Sequence, residues 1–159
     1  MDYIAFIAGL PEIAWDDRKL SLTVAEFREQ LKDYITPKDE KWMDLFFLPY
    51  DNAQVLRLLN KQEPDTALMT VYPVKLLEEE IIEPDKAIPP FLREFITDFK
   101  EEHLRYDVSP ENVLSWMYYD YMLKSDNLLV RRYAEFAMNL KNLVTALNAR
   151  KYGREISRE

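Results

Sequence analysis

The sequence has no cysteine, one histidine (His103) and two glycines (Gly9 and Gly153) in 159 residues. Without cysteine there is no thiol nucleophile, no iron–sulfur cluster and no Cys-ligated zinc, and a single histidine removes most zinc catalysis as well. Two glycines cannot build a glycine-rich phosphate loop or a dinucleotide fingerprint. Nothing approaches the roughly 18 uninterrupted apolar residues of a membrane-crossing helix, so no direct membrane span is expected. Met1-Asp2-Tyr3 also lacks the positive start of a signal peptide. The chain reads as a soluble, cytoplasmic protein. It reads as no enzyme, with no cofactor, no metal site and no catalytic residues.

The composition that remains is ordinary for a globular chain, at 48% hydrophobic and 31% charged residues. A chain of this length removes about 68 to 70% of its unfolded surface from water, enough for a core without disulfide or metal. The 21 basic and 29 acidic side chains leave a formal charge of −8, a field that repels phosphate backbones and argues against nucleic acid as a partner. The distribution is uneven. Residues 124–159 carry 8 basic and 4 acidic side chains, so the C-terminal segment is basic.

Nine prolines and two glycines favour helices opened by proline over strands joined by glycine turns, and the expected fold is an all-α multi-helix bundle. Thr23-Val24-Ala25-Glu26 is a capping-box pattern opening a helix to about Tyr34. Thr36-Pro37 and Ser109-Pro110 place a capping hydroxyl before a proline and open two more. Val55, Leu56, Leu58 and Leu59 mark a helical face ending near Gln62, and 63–73 reads as a loop. Pro73 opens a helix, after which the acidic, proline-bearing stretch 78–90 reads as an exposed connection between candidate subdomains 1–77 and 90–153 of a single helical domain. Leu92, Phe95, Ile96 and Phe99 give a helix ending near Arg105. Periodicity leaves residues 1–10 open between a short strand and a helical turn.

Residues 111–123 have almost no polar face, which fits a central buried helix. Trp116, Tyr118, Tyr119 and Tyr121 on it are, as the second reading, candidate anchors of a protein interface. Leu129, Tyr133, Phe136, Leu140, Leu143 and Leu147 follow a 4, 3, 4, 3, 4 spacing, predicting one long helix packed along that stripe and capped by Gly153. Arg131, Arg132, Lys141, Arg150, Lys151 and Arg154 lie off the stripe, as candidate docking charges for an acidic partner or as a solvated face.

Gln54–Asn60 and Asn142–Asn148 share an order of amide, apolar pair, polar residue, apolar or small pair and asparagine, 88 positions apart. Asn52 and Asn139 lie just upstream of each. Amides beside an apolar stripe need partners, since an unpaired buried amide costs about 1 to 3 kcal/mol. Asn52, Gln54, Asn139, Asn142 and Asn148 are therefore candidate packing or interface residues. His103 follows Glu101 and Glu102 directly, a spacing that points the side chains apart and fits a solvated histidine better than a metal or acid–base site. Asp16-Asp17 and Glu78-Glu79-Glu80 lack the ligand spacing of a calcium loop. An enzyme would require Asp16, Asp17, Asp51 or Glu102 to meet in one pocket.

Tyr3 to Pro11, Ala14 to Thr23, Asp44-Leu45-Phe46, Tyr50 to Ala53, Glu135-Phe136 and Asn139 to Tyr152 resemble a bacterial family of unknown function encoded alongside V-type ATP synthase subunits. Members are longer, so the chain reads as an N-terminal portion. The helices bearing Asp51-Asn52 and Asn139 to Leu143 are more distantly similar to the repeated helices of the V/A-type ATPase C (or d) subunit. That subunit is a non-catalytic helical cap between the rotating shaft and the membrane ring. The resemblance implies an ion-transport setting, a connector or assembly role, and the central stalk or membrane ring as partners. A stand-alone helical interaction adaptor is the alternative.

Overall fold

Thr23, Thr36, Ser109 and Asn127 each accept a backbone N–H at a helix start, which satisfies donors that the first turn cannot pair internally. The computed structural model describes residues 3–16, 18–19, 21–85, 87–104 and 108–153. Among these are eight helices and no strand, in agreement with the all-α expectation. The chain divides into two compact units, Met1–Phe47 and Leu48–Glu159.

The first unit holds α1 (Ile4–Ala8), α2 (Val24–Leu31) and α3 (Pro37–Leu45). Residues 4–8 are thus helical, which decides the question periodicity left open. The capping box is formed: the Glu26 amide donates to the Thr23 hydroxyl at 3.2 Å, and the Glu26 carboxylate accepts the Thr23 amide at 2.8 Å. The core is small. Phe6 is buried with ring centroids 5.8 Å from Phe27 and 4.8 Å from Tyr34. The Arg28 guanidinium lies 4.3 Å over the Phe47 ring and pairs with Asp44 at 2.8 Å.

The second unit holds α4 (Leu48–Leu59), α5 (Val74–Ile82), α6 (Pro90–Lys100), α7 (Pro110–Leu123) and α8 (Leu128–Lys151). Helix α7 is central, packing against α4, α6 and α8. Leu92, Phe95, Ile96, Val55 and Met122 have no exposed surface, and Phe91 sets its ring 6.2 Å from Tyr118 and 5.2 Å from Tyr121. Burying each such side chain contributes about 1.5 to 3 kcal/mol.

Three features depart from the sequence-based expectations. Helix α5 runs through Glu78-Glu79-Glu80, and 78–90 lies inside the second unit, whose boundary falls after Phe47. The reason is that Leu77 and Glu80, one turn apart, both face inward. Glu80 remains buried as an acceptor of the Asp85 and Ala87 amides at 2.9 and 3.3 Å, and Ile88 seals the turn. Second, α6 ends at Lys100 rather than near Arg105, with Glu102 in the left-handed region at φ 59°. Third, the heptad stripe of α8 is not its buried face.

Candidate protein interface

Helix α8 meets α7 through Val130 and Ala134, both buried, and through Lys141, whose ammonium donates to the Ser115 hydroxyl at 2.6 Å. Small or flexible side chains at 130, 134 and 141 let the two helices approach closely. The 129–147 stripe lies about a third of a turn away at 100° per residue. It stays open: Leu129 is 70% exposed, Phe136 65%, Leu143 and Leu147 57%, Leu140 48% and Tyr133 44%. The stripe was expected to pack and stiffen the protomer. Instead Val130 and Ala134 supply the contact, because α7 already carries the bulky Tyr118, Met117 and Met122 on its buried side.

The aromatic candidates of α7 separate by face. Tyr118 is buried, and burial, reinforced by Tyr133 and Tyr119, holds its hydroxyl well above the ordinary tyrosine range. Tyr119 and Tyr121 are half-buried, and burial also raises Tyr119. Trp116 is 64% exposed, so α7 is not covered on all sides. Indole rings left in water are the residue type most enriched at binding hot spots.

The basic candidates mostly keep their charges in water. Arg131 donates to the Ser125 carbonyl at 2.6 Å, which ties it to the α7–α8 turn. Arg132 pairs with Glu135 at 2.9 Å on the exposed surface. Partial desolvation lowers the Lys141 ammonium from its ordinary value. Asn139, Asn142, Asn148, Arg150 and Lys151 are exposed, and Arg154 lies outside the described residues.

The two amide-bearing segments have different environments. Gln54 is fully buried and its side-chain oxygen accepts the Asp65 amide at 3.1 Å, whereas Asn142 and Asn148 face solvent. They are therefore not equivalent packing elements. Beside Gln54, one turn earlier, Asp51 is buried and accepts the amides of Val71 and Tyr72 at 2.9 to 3.1 Å. Asn52 Oδ1, Gln54 Nε2 and Arg93 Nε are buried without a hydrogen-bond partner, a local cost of about 1 to 3 kcal/mol apiece.

Asp51 is thus committed to the 60–73 loop, while Asp16 and Glu102 are exposed and Asp17 lies outside the described residues. His103 is exposed, with Nδ1 3.2 Å from the Glu101 carboxylate. Among the described residues no group of three or more His, Cys, Asp or Glu is placed to hold a metal ion, and no helix is long and apolar enough to cross a membrane. In the first unit an open groove of about 230 Å³ lies between Leu10, Pro11, Ile13, Leu22, Val24 and Phe27, below the roughly 300 Å³ at which small-molecule clefts begin.

The arrangement supports binding through apolar area bordered by positive charge. Sequence reasoning found the α8 residues but assigned them to the core. It missed Asp51 and Glu80 as loop anchors; the one signal for Asp51 was a carboxylate in a first helical turn, one turn before an amide. Comparison with curated proteins and with solved structures gives no match. A family model described as "Protein of unknown function (DUF2764)" matches residues 1–159, and the chain belongs to that family.

Proposed function

We propose that this protein is a non-catalytic helical connector or assembly subunit associated with a V/A-type rotary ATPase, comparable in role to the C (d) subunit. The observation that carries the reading is the exposed apolar face of α8. A 24-residue helix extends about 36 Å, and its large side chains between Leu129 and Leu147 are left for a partner. A contiguous exposed apolar strip of this kind marks a protein-binding surface. The resemblance of the Asp51-Asn52 and Asn139 to Leu143 helices to those of the C (d) subunit supplies the choice of assembly. In this role the α7–α8 pair transmits position between partners, and Arg150 and Lys151 at its end set docking orientation and encounter rate more than affinity.

The test is affinity purification of the tagged protein from cells that express it natively, with rotary ATPase subunits expected in the eluate. Recovery without any of them overturns the reading. A second reading, a stand-alone helical adaptor, is favoured by the near-absence of charge along the α8 stripe, which encodes apolar pairing and no particular assembly. It predicts reproducible partners outside the ATPase.

A further inference from the structure

We infer that the occupant of the α8 face is a second copy of this chain, paired antiparallel through Leu129, Tyr133, Phe136, Leu140, Leu143 and Leu147. This rests on the reading of α8 as a protein-binding face and is independent of which larger assembly the protein joins.

The spacing is that of a coiled-coil seam rather than of an ordinary amphipathic helix. Apolar residues alternating at three and four positions are the a and d sites of a heptad, and here they are exposed in the protomer. The set is also symmetric about position 138. Reversing the helix brings Leu129 opposite Leu147, Tyr133 opposite Leu143 and Phe136 opposite Leu140, so every layer joins one a and one d site. Each ring then meets a leucine. A parallel pair would instead put Phe136 against Phe136 and Tyr133 against Tyr133 in adjacent layers, crowding four rings into one turn of the seam.

Charge selects the same direction. Antiparallel pairing sends the basic ends, Arg150 and Lys151, to opposite ends of the dimer and opposes the two helix dipoles. On the flank not occupied by α7, Arg132 faces Ala146 and Asn139 faces its own copy, an uncharged amide pair at the twofold axis. The other flank carries Val130, which is buried in the protomer, so the second copy does not compete with α7. Six half-exposed Leu, Phe and Tyr side chains with Val144 beside them offer area of the order of the ~800 Å² per partner of a standard interface.

Because the chain has no cysteine, pairing is read directly with single-cysteine variants and a short bis-maleimide linker. Asn139→Cys is expected to cross-link to itself, and Arg132→Cys to cross-link to Ala146→Cys when the two are mixed but not to itself. Sedimentation equilibrium of the unmodified chain is expected to show a dimer, and Phe136→Glu or Leu143→Glu to weaken it at least about 30-fold with helicity unchanged by circular dichroism. A chain that remains monomeric to about 100 µM overturns the inference, as does a dimer that ignores both substitutions or lacks the Asn139 cross-link. The cross-link leaves the seam unsubstituted, so it decides the matter even if a glutamate variant misfolds. A dimer that recovers no ATPase subunit leaves this inference standing and removes the proposed assembly; ATPase subunits bound to a monomer do the reverse.

Discussion

The Asp51 carboxylate accepts the Val71 amide through both of its oxygens, at 3.1 and 2.9 Å, across 20 residues of chain. It accepts the Tyr72 amide as well, while Gln54 on the next turn takes the Asp65 amide. One inward face of α4 therefore holds the 60–73 loop by its backbone. A buried carboxylate surrounded by N–H donors is stable only while each donor has an acceptor.

Asp51→Asn turns one acceptor into a donor facing Val71 and Tyr72. We expect a loss of about 1.5 to 3 kcal/mol in urea unfolding, with faster hydrogen exchange at the 71 and 72 amides. Unchanged exchange at those two positions would remove the clamp from the account of this loop.

The caps of the first unit predict acid sensitivity. Glu26 is held below its ordinary value of 4.5 by accepting the Thr23 backbone amide and then the Thr23 hydroxyl. Asp39 is held below 3.8 by the Tyr3 hydroxyl first and the Thr36 hydroxyl second. A lowered carboxylate contributes stability above its unfolded value and loses it as pH falls through the folded value. Protection factors of the α2 and α3 amides, taken relative to the intrinsic exchange rate at each pH, should therefore fall as pH drops below about 4.5, and should fall less in Thr23→Val and Tyr3→Phe proteins. Equal acid response in the variants would refute the assignment.

Scarcity of glycine leaves two helices ended by side-chain-bearing residues in the left-handed region, Lys61 at φ 58° and Glu102 at φ 59°. Each precedes a Schellman-type bond, Gln62 N–H to the Arg57 carbonyl and His103 N–H to the Asp98 carbonyl, at 2.9 and 2.8 Å. Left-handed backbone costs a non-glycine residue about 1 to 2 kcal/mol, partly offset by the larger unfolded entropy of glycine. Lys61→Gly and Glu102→Gly should each raise stability by up to about 1 kcal/mol; a lower melting temperature in both would contradict this.

Close approach of α7 and α8 depends on Ala134, which has no exposed surface. Ala134→Leu should cost about 1 to 3 kcal/mol by overpacking, whereas Asn142→Ala, on the solvent side of the same helix, should stay within about 0.5 kcal/mol. Similar effects at both positions, measured by chemical denaturation, would mean that α8 does not seat on α7 through this alanine.

Helix starts were legible because capping is local chemistry: Thr23, Thr36 and Ser109 reach only three residues ahead for the amides they accept. The extent of α8 was legible for a similar reason, with Gly153 in the left-handed conformation just beyond its end. The role of Glu80 was not, since a run of three glutamates reads as solvated until the fold brings the Asp85 and Ala87 amides to one of them. The 88-residue pattern match illustrates the same limit, for similar order placed Gln54 in the core and Asn142 in water.

Composition and short-range pattern by themselves determined that this is an all-helical chain without cysteine chemistry or glycine-rich phosphate loops, and that its last helix carries a heptad stripe. Only the tertiary structure decided that α7 takes the Val130 and Ala134 face, leaving that stripe open. Periodicity records which side chains share a face; which face is covered depends on the side chains of the facing helix, here α7, and on how that helix is itself turned by packing against α4 and α6.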